Sequence, residues 1–592
     1  MSAQPSIATL VAAGGAKIPA TTVVRNGQLV NVVSAEIYPA DVAIFENTVV
    51  AIGDVTPYIG DKTIKIDAGG RYLVPGLFDG HQHLECSKLS ITSIAKMLVP
   101  LGTTNVVSGL DQILVVNGLA GAEAFLRESQ QTPLRVFWGA PCKTPYTLPT
   151  STVGHYFGPD DHRIGQLWPE CIGVWETVRE FVTTGDEDVL AALEIARDNR
   201  LPVFGCAPMA RGTELSSFLC AGVRLDHESY DVTECLEKLR NGMYIVIRES
   251  SFAHFLNENI QLVRDYAPLA SRRVSFCTDD VVASDVLNRG HLDNMVRMAI
   301  TAGIDPLTAI QMATINGAEA YRVDHLVGSI SPGRYADVLF VEDLNDFRVG
   351  TVMANGEIVA DSGNMTIRLN PPDRKSLSVP FPISEATPED FTVSTKFPDG
   401  PVEVLAIEVT EQIFVRKRRD VILQATSGWV APDIEQDVVM VSVVERYGKT
   451  SNRPTAFLYG FGLKSGALAT STAPDDNNIV VIGASGDDMA IAVNYLAEKG
   501  GGQVVVNHGE IIEFLHLPIG GIVSDLDPHE MAIKESNLDQ AAKALGCTVD
   551  WPFSYLFFLP ITAIPDYAIT DVGLVDVAAM AVFDPVLREV ST

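Results

Sequence analysis

His81 and His83 stand two residues apart in the run VPGLFDGHQHLE, residues 74–85. The run is short, apolar and punctuated by Pro75 and Gly76, which reads as a buried strand. Side chains two apart on a strand project to one side. Two imidazoles facing one way are what a borderline-soft divalent cation takes as ligands. Further polar residues close similar apolar runs downstream: Glu176 in IGVWE, Cys206 in LPVFGC, His227 in VRLDH, Glu249 in MYIVIRE and Asp279 in RVSFCTD.

The elements that must position these residues follow from the rhythm of the chain. Between about 74 and 330, strand-like runs alternate with helical stretches such as DEDVLAALEIARDN and SYDVTECLEKLRNG, the latter reaching a C-cap signal at Gly242. Strand–helix alternation over about 250 residues predicts a (β/α)8 barrel, whose site lies at the C-terminal ends of the strands. Short β-rich runs at about 21–73 and 335–363 flank this region, and we read them as one discontinuous β-sandwich. A Pro- and Ser-rich connector near 370–391 leads to an α+β region. The expected domains are therefore 1–73 with 331–375 as sandwich, 74–330 as barrel and 376–592 as C-terminal domain. The glycines of KGGGQ, 499–503, follow a helical run and predict a turn, since a nucleotide loop follows a strand.

Composition narrows the function classes. The chain has 592 residues and a net charge of −31, from 43 Lys and Arg against 74 Asp and Glu. That balance predicts no nucleic-acid partner. The basic group at 416–419 reads as a solvated strand end or turn. Eight scattered cysteines predict reduced thiols in a cytoplasmic protein. No signal peptide is apparent, and no uncharged apolar run reaches about 18 residues, so no membrane span is expected.

The blocks PGLFDGHQHLECSKL, LVPLGTTNVV, GMYIVIRES, FCTDD, DPLTAIQMATINGAEAY, GFGLKSGALATS and LPIGGIVSD resemble, almost from end to end, the adenine deaminase family of the amidohydrolase superfamily. The resemblance implies one or two divalent ions (zinc, manganese or iron) in the barrel mouth. His81, His83 and Asp279 would bind the first, Glu176 would bridge, and His227 would bind the second. A metal lowers the pKa of bound water toward neutrality, and Asp279 is then the proton carrier. Arg248 and Glu249 match catalytic or substrate-positioning residues, with a structural ion pair as the other reading. Glu85, Asp111, Asp475 and Asn477 match substrate-binding positions. The substrate is a small molecule and the expected assembly a homo-oligomer.

The chain departs from the family pattern at three places. Cys206 stands where the family has a histidine, Gly109-Leu110-Asp111-Gln112 replaces Asp-Pro-His-Glu, and Pro474–Asn478 replaces His-Asp-Ser-His-Asn. Cys206 is either a thiolate ligand or a small packed thiol. The departures together predict a changed substrate, a changed metal site, or both. The function implied is hydrolysis of a C–N bond in a purine or other aminated heterocycle by metal-activated water. Hydrolysis of a cyclic or linear amide is the alternative, and a non-catalytic ligand-binding relative the remaining one.

Overall fold

The computed structural model describes residues 4–374, 377, 381–410, 413, 415–563 and 566–590. The expected boundary at 375/376 lies outside the described residues. The chain forms two compact units. The first comprises residues up to Leu110 together with Glu123–Cys142 and Gly158–Pro372, and the second comprises Asp111–Ala122, Lys143–Phe157 and the chain from Asp373 onward.

The first unit contains an eight-stranded parallel sheet: β1 (Leu77–Asp79), β2 (Thr103–Ser108), β3 (Arg135–Pro141), β4 (Cys171–Val178), β5 (Val203–Cys206), β6 (Val223–Asp226), β7 (Tyr244–Arg248) and β8 (Val274–Cys277). Sequential strands are neighbours throughout. Helices such as Glu187–Asp198, Gly212–Cys220 and Val232–Arg240 separate them. Several strands are buried along their whole length, as in β2, β3 and β7, because a parallel sheet covered on both faces has no solvent side. Every strand contributes at least one side chain (Phe78, Val107, Phe137, Trp175, Phe204, Leu225, Tyr244 with Val246, and Cys277) to a single apolar cluster, the filled core expected of such a barrel.

Closure between β1 and β8 occurs just past the strand ends. Gly80 N donates to Phe276 O at 3.3 Å, Asp279 N to His81 O at 2.8 Å and His83 N to Asp279 O at 3.2 Å. The seam that closes the barrel therefore carries the candidate ligands.

A nine-stranded sheet completes the first unit. It draws on both sides of the barrel: Val338–Val341 pairs antiparallel with Tyr72–Pro75, with Val338 opposite Pro75. Leu29, Val42 and Leu73 share an apolar cluster with Val338, Phe340 and Met353. Arg135 anchors β3 to this sheet. Its Nη1 donates to Asp337 Oδ2 at 2.7 Å and to Asn105 Oδ1 at 2.6 Å, with the guanidinium 3.9 Å over the Tyr335 ring.

The second unit is built on an eleven-stranded sheet among the described residues. The strands Gly400–Val409 and Arg416–Thr426 pair antiparallel over ten positions, and the helix Gly486–Lys499 contributes Met489, Val493 and Leu496 to the core. Gly500 follows that helix with φ +74°, so KGGGQ is a helix-ending turn. Lys417, Arg418 and Arg419 are exposed on the strand, but Arg416 is not solvated as expected. Its guanidinium is buried and donates to the carbonyls of Phe558, Leu559 and Ile561 at 2.7–2.9 Å, which offsets the loss of water.

Removing one partner of a buried ion pair leaves an uncompensated charge. Arg135→Met is expected to destabilise the protein by about 3–5 kcal/mol, measured by urea unfolding; a loss below about 1 kcal/mol, the scale of an exposed pair, would assign Arg135 no anchoring role.

Candidate metal centre

The expected ligands converge, although β1 ends at Asp79 rather than running through the histidines. Beyond it, Gln82 forms a parallel bridge with Asp279, which keeps the backbone extended and points His81 and His83 the same way. His81 Nε2 lies 3.3 Å from His83 Nε2, 3.3 Å from Glu176 Oε2 and 3.8 Å from Asp279 Oδ1. His83 Nε2 is 3.5 Å from Asp279 Oδ1, and His227 Nε2 is 3.6 Å from Glu176 Oε2. Donor atoms of His81, His83 and Asp279, and of His81, Glu176 and His227, lie within 4.8 Å of one another.

Two of the carboxylates are aimed by strained backbone. Glu176 has φ +47° and Asp279 φ +59°. Such conformations cost a non-glycine residue about 1–3 kcal/mol and persist where the surroundings over-determine them. At Glu176 the strain turns a carboxylate out of a strand that otherwise fills the barrel.

The donor set fits a divalent cation. The Gly205 carbonyl lies 3.1 Å from His227 Nδ1 and can only accept, so that nitrogen carries the proton. The Nε2 lone pair then faces the Glu176 and Glu228 carboxylates, each at 3.6 Å. Lone pairs directed at carboxylates repel unless a cation lies between them. Burial, reinforced by neighbouring His227 and His83, holds His81 well below its usual pKa, and burial holds His227 at about 4. Both imidazoles are therefore neutral, the form that ligates.

Arg248 sets the charge balance. Its Nη1 hydrogen-bonds both Glu228 Oε1 and Asp279 Oδ2. Burial pushes the Asp279 carboxyl up, but Arg248, His83 and His227 together outweigh it and hold it below its usual range. One guanidinium does not neutralise two carboxylates, and burial raises Glu228 to about 8 despite Arg248. Burial also raises Asp280 to about 7, with Asp279 adding to the shift.

Supporting bonds hold the ligand-bearing loops. Asp79 Oδ1 accepts from the amides of His81 at 3.1 Å and Thr278 at 3.2 Å, while its Oδ2 accepts from Thr278 Oγ1 at 2.6 Å. Behind them His291 meets Thr278 Oγ1 at 3.1 Å and Thr103 Oγ1 at 2.9 Å. On the other side buried Lys238 donates to Asp226 Oδ2 at 2.8 Å and Ala207 O at 2.6 Å, and Asp226 Oδ1 accepts from Ala207 N at 2.7 Å. These bonds tie the end of β5, with Cys206, to the end of β6, with His227.

The remaining expected residues are placed as follows. Cys206 ends β5, and its thiol lies with His227 and Glu228 in a third donor group. Glu249 is buried, but its carboxylate faces His254 Nδ1 at 2.8 Å, Leu256 N at 3.2 Å and Arg289 Nη1 at 3.5 Å, outside the donor groups. Glu85 is buried in the turn Leu84–Ser87. Asp111, Asp475 and Asn477 belong to the second unit; Asp111 begins the helix Asp111–Ser129, and Asn477 Oδ1 accepts from Ala473 N at 3.2 Å.

Sequence reasoning missed Glu228, Trp175, Asp79 and His291. Trp175 stacks on His81 at 3.7 Å and 9°. A Cβ on Gly109 would lie 2.5 Å from its indole, so glycine at this departure from the family pattern makes room for the ring. Glu228 adjoins His227, and Asp79 precedes His81 by two residues in the FDGHQH run, signals that local pattern contained but did not rank.

A parallel barrel with histidine and carboxylate donors gathered at its C-terminal strand ends defines a metal-dependent amidohydrolase. Residues 72–359 match the amidohydrolase family, and residues 413–581 match the adenine deaminase C-terminal domain. The chain is 60% identical to adenine deaminase 4 of Rhizobium meliloti over 580 residues, covering 97% of this chain and 96% of that one. It is 58% identical to adenine deaminase 1 of Desulfotalea psychrophila (98% and 97% covered) and 51% identical to adenine deaminase 1 of Latilactobacillus sakei (98% of each). The chain belongs to the adenine deaminase family.

Burial holds His291 at about pKa 3, against about 6.5 in an unfolded chain. Its neutral form contributes stability that is fully present above pH 6.5. The contribution is lost as pH falls from 6.5 toward 3, because the unfolded state takes the proton first. Urea midpoints followed from pH 7.5 to 4.5 are expected to fall, and His291→Gln to remove about one proton from the slope, worth about 3 kcal/mol by pH 4.5. Equal slopes in the two proteins would show that His291 does not contribute.

Proposed function

We propose that the protein hydrolyses the exocyclic C–N bond of adenine, giving hypoxanthine and ammonia. The observation that carries this reading is similarity to adenine deaminases over nearly the whole chain, barrel and C-terminal domain alike. It is supported by the gathered donors of His81, His83, Glu176, His227 and Asp279.

His81, His83, Glu176 and Asp279 would hold a divalent ion, which when bound supplies a water whose pKa is lowered toward neutrality. Asp279, kept ionised by Arg248, accepts the proton of the water that adds to ring carbon C6. As the oxygen bonds to C6, the C6=N1 π pair moves onto N1. Asp279 delivers its proton to the amino nitrogen, and the C6–N bond breaks to release ammonia. The remaining hydroxyl proton passes to N1 as the C6–O bond becomes the carbonyl of hypoxanthine. Arg248 holds the Asp279 carboxylate by Oδ2, leaving Oδ1 toward the histidines. Trp175, stacked on His81, fixes that ring and keeps water from its face.

Zinc, manganese and iron all suit imidazole with carboxylate donors. The eight free cysteines support a reducing, cytoplasmic setting, and among the described residues no helix is long and apolar enough to cross a membrane. A homo-oligomer is part of this reading. The departure at Cys206 is read as a change in the metal centre, with the substrate kept.

The test is ammonia and hypoxanthine release by protein reconstituted with zinc, manganese or iron. Adenine turnover that disappears on chelation is expected, and Asp279→Asn is expected to lower kcat by about 10²-fold or more while the fold persists. Turnover of other purines or amides with none of adenine would overturn the reading.

A further inference from the structure

Glu176 stands at an irregularity of its strand. Val203 of β5 lies opposite Val174 of β4 and Gly205 lies opposite Thr177, so β4 carries one residue more than β5 over this stretch. The bulge spans Trp175 and Glu176, and Glu176 takes the left-handed conformation there. Bulges beside active sites serve to re-aim a side chain.

On the other side of β4 the bulge is met by Cys142, the residue that follows β3. Its amide N donates to Trp175 O at 2.9 Å, which continues the pairing of Pro141 with Trp175. Its thiol donates to Glu176 O at 3.1 Å. One residue thus holds the carbonyls of both bulge residues.

Cys142 is itself fixed from behind. His162 Nε2 lies 3.1 Å from Cys142 O, and His162 Nδ1 lies 3.0 Å from Gln166 Nε2. Gln166 Nε2 also donates to Ala192 O at 3.1 Å, and Gln166 Oε1 accepts from Asn199 Nδ2 at 3.2 Å. These bonds orient the amide with its nitrogen toward His162. Nδ1 therefore accepts, and Nε2 carries the proton donated to Cys142 O. Burial holds His162 at about pKa 4, so the ring is neutral at pH 7.

We propose that Cys142 is a positioning residue, which holds the bulge at Glu176 and thereby sets where that carboxylate meets His81 and His227. Glu176 Oε2 lies 3.3 Å from His81 Nε2 and 3.6 Å from His227 Nε2. Relaxation of the Glu176 backbone toward ordinary strand geometry would carry the carboxylate away from both. The Cys142 thiol meets the backbone of Glu176 and acts on the site only through it. Partners that orient a ligand in this way are worth about 10–100-fold in metal affinity. This inference rests on the metal-centre part of the function proposed above, and its test reads Co²⁺ binding rather than adenine turnover.

The test is a double-mutant cycle on metal-free full-length protein, with Co²⁺ affinity read from visible absorbance. Cys142→Ala is expected to weaken the first equivalent by about tenfold or more. In the Glu176→Ala background the same change is expected to cost less than about twofold, because the carboxylate that it positions is gone. Cys142→Ser, whose hydroxyl can donate to the same carbonyl, should recover most of the affinity. Equal weakening in both backgrounds would mean a general loosening of the barrel and would overturn the proposal. Wild-type affinity in Cys142→Ala, or affinity in Cys142→Ser no better than in Cys142→Ala, overturns it as well. Unchanged Co²⁺ affinity in Glu176→Ala alone is a separate result: it refutes the role of Glu176 in the metal centre, and the inference with it. If Cys142→Ala does not fold, Cys142→Val, which fills the space and donates nothing, takes its place in the cycle.

Discussion

The barrel mouth gathers more negative charge and more lone pairs than its own cations balance, and the rest of the site is arranged around that imbalance. Asp279, Glu228 and Glu176 face the imidazoles of His81 and His227, which burial keeps neutral, and that of His83. Arg248 is the guanidinium bonded to two of the three carboxylates. An arrangement of this kind is costly in a low-dielectric interior unless a further cation enters. The demand for a divalent ion is thus a consequence of electrostatics as well as of ligand type.

Holding such a cluster together requires rigid support, and the barrel supplies it at its weakest point. The β1–β8 seam lacks a long ladder and is closed by bonds through His81, Gln82, His83 and Asp279 themselves. Asp79 adds side-chain bonds to both sides of the seam, with Thr278 and His291 behind it. Ligand geometry and barrel closure are therefore one structural event. The left-handed backbone of Glu176 and Asp279 is tolerated because these surroundings leave the chain little alternative.

On the opposite side, the ends of β5 and β6 are joined through Lys238 and Asp226 rather than through backbone alone. This support lies beneath Cys206 and His227, where the chain departs from the family's histidine. Gly109 is a departure with a packing reason, since it admits the Trp175 indole that stacks on His81. These changes concern how the metal centre is built and covered.

Much of the site was legible in the sequence because its residues lie where local pattern changes. Histidines two apart after an apolar run, and single polar residues ending buried strands, report strand ends whatever the rest of the fold does. The alternation of strands and helices likewise determined the barrel, because period and length are local properties. Only the tertiary structure decided which charges share which partner. Arg248 meets Asp279 across 31 residues, His291 meets Thr103 across 188 and Asp79 meets Thr278 across 199. Local pattern carries no signal for such pairs. It also did not reveal that Glu228 turns toward His227 while Glu249 turns toward His254 and Arg289, or that Arg416 is buried against three carbonyls while its basic neighbours are solvated. A side chain's direction at a strand end depends on the backbone turn and on what the neighbouring strands bring to meet it, and those are set only when the barrel closes.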